Sequence, residues 1–85
     1  MEIRYRNRFL KEYKRLSSVV KDVAKKKEIV FQKNPFDPRL KTNKLSGPLT
    51  GFLAFSILHK YRVIFTFVEK DIVEFYSIGT HDIYD

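Results

Sequence analysis

Residues 61–78, YRVIFTFVEKDIVEFYSI, decide the fold. Tyr61 to Val68 and Ile72 to Ile78 are runs of β-branched and aromatic residues, the composition of strands. Glu69-Lys70-Asp71 between them is short and polar, so the two runs predict an antiparallel hairpin. Side chains alternate along a strand: Val63, Phe65 and Phe67 share one face, and Arg62, Ile64, Thr66 and Val68 share the other. A few strands alone bury too little surface to be stable, so one face must be covered by helices.

Working outward, Phe52 to Leu58 predicts a further strand, joined to the hairpin through the His59-Lys60 turn. Ahead of it, residues 34–51 hold three prolines (Pro35, Pro38, Pro48) and two glycines (Gly47, Gly51), with Arg39, Lys41 and Lys44 among them. A loop this long in a small domain points to function, and Phe36, Leu40, Leu45 and Leu49 pin it to the body. Before the loop, Phe9, Leu10, Tyr13 and Leu16 recur at helical spacing, and Val19, Val20, Val23, Ala24, Val30 and Phe31 continue it. Lys27 falls awkwardly inside that apolar stripe. Asn7 is a candidate cap for the first helix and Ser17 or Ser18 for the second. Asn34-Pro35 stops the second helix, with Asn34 suited to a left-handed terminal position. The spacing predicts helices at about 8–16 and 18–33, after a short strand at Glu2–Tyr5. The fold class is therefore α+β, with order β-α-α-β-β-β: an N-terminal helical hairpin packed on a small antiparallel sheet. One domain spans 1–85.

Eighty-five residues with 44% hydrophobic and 15% aromatic content fill one small core. Cysteine is absent, which excludes disulfides, thiolate metal sites and a cysteine nucleophile. No apolar run reaches the ~18–20 residues of a membrane span, and no signal-like stretch follows Met1, so a cytoplasmic protein is expected. The net charge of +7 is lopsided. Residues 1–44 carry fourteen basic and five acidic side chains (+9), and residues 45–85 three and five (−2). Such a basic half attracts a polyanion.

Most enzyme classes lack their residues. No phosphate-cradling glycine loop occurs, His59 and His81 lack zinc-site company, and the carboxylates are too scattered to hold two magnesium ions. No cofactor or metal is expected. The chemistry that remains open to a basic chain is RNA cleavage, because the ribose 2′-hydroxyl can attack its own phosphate. That reaction asks for a proton acceptor, cations against the phosphate charge and an acid for the departing 5′ oxygen. Arg62 begins the middle strand, while His81 and Tyr84 follow the last. Pairing about Lys70 places 62 opposite 78, gathering Arg62, His81 and Tyr84 at one sheet edge with His59 in the adjoining turn. Each also has a structural reading: Arg62 as a solvent-face arginine, the histidines as surface residues, Tyr84 as a packing aromatic.

Four segments carry a family resemblance: FLKEYKRL at 9–16, NPFDPRLKTNKLSG at 34–47, YRVIF at 61–65 and IGTHDIY at 78–84. Together they resemble the RelE/ParE toxin superfamily, and within it the RelE/YafQ-type mRNA interferases and plasmid-stabilisation toxins. The likeness covers essentially the whole chain. It implies a toxin of a type II toxin–antitoxin pair that cleaves mRNA on the ribosome without a metal. It further implies a cognate acidic antitoxin, bound in a hetero-oligomer. Arg62 resembles the family's phosphate-stabilising arginine, His81 its C-terminal general acid, and Tyr84 the aromatic that orients the substrate. Arg39, Lys41 and Lys44 match the basic loop along the RNA path, and Asn43 and Lys60 stand beside it as RNA contacts.

The chain also departs from the pattern. Relatives often carry histidine where Asn43 stands, and YafQ-type enzymes have histidine and aspartate at the positions of Ser56 and Lys60. Asn43 cannot carry a proton, so the general base is unassigned, with His59 a candidate to compensate. Two alternatives share the fold: a ParE-like inhibitor of DNA gyrase without nuclease activity, and a catalytically weakened member that mainly binds its antitoxin.

Overall fold

The computed structural model describes residues 1–84. Its elements are β1 (Glu2–Tyr5), α1 (Asn7–Lys14), α2 (Ser18–Lys33), β2 (Asn43–Lys44), β3 (Leu53–Ser56), β4 (Arg62–Glu69) and β5 (Ile72–Gly79), with 3-10 turns at Pro38–Leu40, Gly47–Leu49 and His81–Tyr84. The strands form one sheet in the order β1-β5-β4-β3-β2.

The α+β class, the helical hairpin and the β4–β5 hairpin agree with the sequence reading. The sheet does not agree in full: it is mixed, because β1 runs parallel to β5, pairing Glu2 with Ile72 and Tyr5 with Phe75. It also gains a strand, since Asn43 and Lys44, expected in a loop, pair antiparallel with Ala54 and Leu53. Both corrections have one cause. Pairing partners distant in the chain leave no periodic trace in a segment of two to four residues.

The helix boundaries shift for local reasons. Asn7 is the first residue of α1, not its cap. The N-H of Arg6 still donates to Phe75 O at 3.0 Å, so the chain leaves the sheet only after residue 6. Ser17 does cap α2, its hydroxyl accepting from Val20 N at 3.3 Å. Asn34 ends α2 in extended backbone (φ −161°, ψ 106°), not in the left-handed region. Pro35 accounts for this, because its ring excludes helical backbone from the residue before it. Lys27 stays in the apolar stripe by reaching across the fold, its Nζ donating to Arg39 O at 3.3 Å.

Phe31, fully buried on α2, is the centre of the core. Its ring meets Phe65 at 4.9 Å, Phe55 at 5.0 Å and Phe75 at 5.2 Å. These rings join α2 to β3, β4 and β5 in a single contact, and Leu40 carries the loop into the same core. The register of the β4–β5 hairpin is offset from expectation: Arg62 faces Gly79, and Val63 faces Ile78. Irregularities between Ile64 and Phe65 and between Phe67 and Glu69 produce the slip.

Ala54, Ile64 and Ile83 are buried but stand outside the core cluster. Strand alternation turns Ala54 and Ile64 to the face away from the helices. That second face carries the candidate site.

Candidate functional site

A cleft of about 420 Å³ opens where the β2 segment meets the final turn. Asn43, Leu45 and Ser46 line it from one side, Pro48 and Leu49 continue the wall, and His81 and Tyr84 complete it. The loop wall is shaped by Gly47, whose φ of +63° favours glycine, and by Leu49 N and Thr50 N donating back to Ser46 O and Gly47 O. The opposite wall is the His81–Tyr84 turn, in which Ile83 N donates to Thr80 O at 3.1 Å. The His81 and Tyr84 rings lie 6.0 Å apart, tilted by 50°. Thr80 donates to the Asp82 carboxylate and holds its pKa below the ordinary value. His81 is exposed and Tyr84 half-buried, and both line the cleft.

Three of the residues singled out in the sequence therefore meet in the cleft: His81, Tyr84 and Asn43. Arg62, His59 and Lys60 lie outside its lining, in and beside the β3–β4 turn. The Arg62 guanidinium donates through Nη1 to His59 O at 2.8 Å and to Tyr61 O at 3.2 Å. His59 adopts a left-handed φ of +50°, and its carbonyl is one of those two acceptors. Since Arg62 pairs with Gly79, the end of β4 still borders the segment that leads into His81.

The basic loop is only partly free. Arg39 grips Asp37 with two bonds, Nε to Oδ1 at 3.0 Å and Nη2 to Oδ2 at 2.9 Å. That side-chain bond, ahead of the backbone one from Arg39 N, lowers the Asp37 pKa to about 2. Lys41 is exposed with a left-handed φ of +51°, and Lys44 is exposed on β2 beside Asn43.

Sequence reasoning missed the support beneath the turn, which consists of Arg8, Glu12 and Tyr76. Arg8 Nη1 donates to Tyr76 Oη at 3.2 Å and Nη2 to Ile83 O at 3.1 Å, while Nε donates to Glu12 at 3.3 Å. The other Glu12 oxygen accepts from Ser77 Oγ at 2.7 Å and Ile78 N at 3.1 Å. The i,i+4 spacing of Arg8 and Glu12 was the one signal available.

Among the described residues, no group of three or more His, Cys, Asp or Glu is placed to hold a metal ion. No described helix is long and apolar enough to cross a membrane. The cleft offers one imidazole, one phenol, one carboxamide and one aliphatic hydroxyl, beside the exposed lysine Lys44. That set can hold a phosphodiester and pass a proton to or from it.

No protein-family model and no curated protein matches the sequence. Solved structures do match over nearly the full length. The YoeB/ParE toxin from Agrobacterium tumefaciens superposes with a TM-score of 0.80 at 15% identity, covering 95% of this chain and 99% of that one. YafQ from E. coli follows with a TM-score of 0.76, 20% identity and coverage of 98% and 96%. A chain of the RelBE toxin–antitoxin complex from E. coli has a TM-score of 0.72, 27% identity and coverage of 93% and 94%. The chain has the RelE/ParE toxin fold. In this RelE/ParE-like chain the candidate cleft is walled by the β2 segment, the loop after it and the last turn, and α1 reaches that turn through Arg8.

Proposed function

We propose that the chain is the toxin of a type II toxin–antitoxin pair and acts as a metal-independent endoribonuclease on mRNA at the ribosome. The observation that carries this reading is the meeting of His81, Tyr84 and Asn43 in one cleft with Lys44 beside it. The resemblance of the whole fold to toxins, one of them solved in a toxin–antitoxin complex, supports it.

In this reading Tyr84 stacks against or orients a base; the 2′-oxygen gives its proton to a solvent water as it bonds to phosphorus, and the P–O5′ bond breaks as His81 protonates the departing 5′ oxygen. Arg62, at the β4 end beside Gly79, swings from its carbonyl acceptors to the phosphate, where a fork of donors matches two oxygens. Lys41, Lys44 and Lys60 hold the message and ribosomal RNA through their charge. With asparagine at position 43 the cleft holds a single imidazole, which makes this a slow enzyme. The +7 charge suits an acidic antitoxin as well as RNA.

Primer extension on a message translated in the presence of the purified chain tests the reading. New 5′ ends are expected with the wild-type chain, and His81→Ala should reduce them by roughly 10²- to 10⁴-fold, the span of one acid–base group. Absence of cleavage together with inhibition of gyrase supercoiling would favour the ParE-like alternative and overturn the nuclease.

A further inference from the structure

The ribonuclease reading places the chemistry on a four-residue turn, His81–Tyr84, with little packing of its own. At its start the turn is held by Ile83 N donating to Thr80 O and by the Thr80–Asp82 contact. Ile83 is its single buried residue. Among the described residues, a side-chain tie to this turn comes from α1, far back in the sequence. Arg8, in the first turn of α1, spends its three nitrogens on three separate acceptors: the Glu12 carboxylate, the Tyr76 phenol and the Ile83 carbonyl. Its guanidinium also lies over the Tyr76 ring, 5.0 Å from the centroid. Glu12 is in turn fixed to β5 through Ser77 and Ile78. The fork is thus braced on two sides before it reaches the turn.

Resting on that reading, we propose that Arg8 is a positioning residue: it holds the His81–Tyr84 turn against β5 so that both side chains face the cleft. It touches neither the cleft nor a substrate. It acts through the Ile83 carbonyl, two residues after His81 and one before Tyr84. The planar fork is what the geometry needs, since a lysine ammonium at the same place could not serve a phenol, a carboxylate and a carbonyl in three fixed directions.

Amide hydrogen exchange and cleavage kinetics, measured together, decide the matter. In Arg8→Gln the Ile83 amide is expected to lose protection by roughly tenfold or more, as a charged hydrogen bond leaves a short surface element. Amides in β4, such as that of Phe65, keep theirs. In ribosome-dependent cleavage kcat falls in step, with KM for ribosomes unchanged. Unchanged protection at Ile83 overturns the proposal, and so does lost protection with full kcat. If the wild-type chain does not cut RNA, the ribonuclease reading falls, and exchange at Ile83 alone decides whether Arg8 holds the turn. Should Arg8→Gln lower protection throughout the molecule, Tyr76→Phe removes one acceptor and leaves α1 untouched. A smaller loss confined to Ile83 is then expected, and no change there overturns the proposal.

Discussion

Asn43 and His81 line the same cleft although β3 and β4 stand between their parent strands in the sheet. The turn after β5 and the loop after β2 both fold over the sheet face away from the helices, which brings the two side chains together. A proton carrier at position 43 would therefore share a site with His81.

Asn43→His should raise cleavage by roughly tenfold to a hundredfold, toward the contribution of a second acid–base group. Asn43 is exposed on an edge strand, so stability should change little. Single-turnover cleavage on stalled ribosomes measures the gain. An equal or lower rate would show that position 43 contacts RNA without reaching the reacting atoms.

Gly79 ends β5 just before the His81–Tyr84 turn. A Cβ on this residue would lie 2.6 Å from Ile83 Cγ2, closer than side chains approach. Gly79→Ala should cost about 1–3 kcal/mol of stability by overpacking and should displace His81 and Tyr84, with cleavage lost out of proportion. Adding Ile83→Ala removes the offending methyl and should return part of the activity. Thermal melts and cleavage rates of the two variants separate displacement from unfolding.

Phe31 joins α2 to three strands at once. Phe31→Ala should cost about 3–5 kcal/mol, much of the stability available to a domain of this size, which is about 5–15 kcal/mol for globular proteins. Phe31→Leu should cost about 1–2 kcal/mol. Urea unfolding reports both, as a lower midpoint.

Burial, followed by the hydrogen bond to Glu28, pushes the Tyr5 phenol above its ordinary 10.0. The folded chain thus favours the neutral phenol. Its contribution to stability is complete below pH 10 and is lost as pH rises beyond it. Above pH 10 the wild-type chain should lose more stability than Tyr5→Phe, as read from denaturant midpoints against pH. Parallel curves would show that the Tyr5–Glu28 contact does not persist in solution.

The parts of the fold legible in the sequence were those with local period. Val63, Phe65 and Phe67 marked a strand, Phe9, Leu10, Tyr13 and Leu16 a helix, and Ser17 a cap. What escaped was long-range pairing. Nothing in Glu2–Tyr5 announces a parallel partner at Ile72–Phe75, and nothing in Asn43-Lys44 announces Ala54. The site divides the same way. His81 and Tyr84 were legible as chemistry-bearing types and do line one cleft. Arg8 looked like one more charge on a helix face, because its role depends on Tyr76 and Ile83, far along the chain. Asn34 shows a local rule losing to a stronger one: its tolerance for left-handed backbone yields to the demand of Pro35.

The parallel pairing of β1 with β5 also orders events during synthesis. Glu2–Tyr5 emerges first and has no partner until Ile72–Phe75 has been made, and Arg8 waits equally long for Tyr76 and Ile83. A nascent chain can form its helices early, but neither the β1–β5 edge of the sheet nor the brace under His81 exists until Ile72–Ile83 have left the ribosome. Contacts so distant in sequence slow folding. The growing polypeptide therefore carries no assembled cleft until His81 and Tyr84 have been made and are free to fold against Asn43.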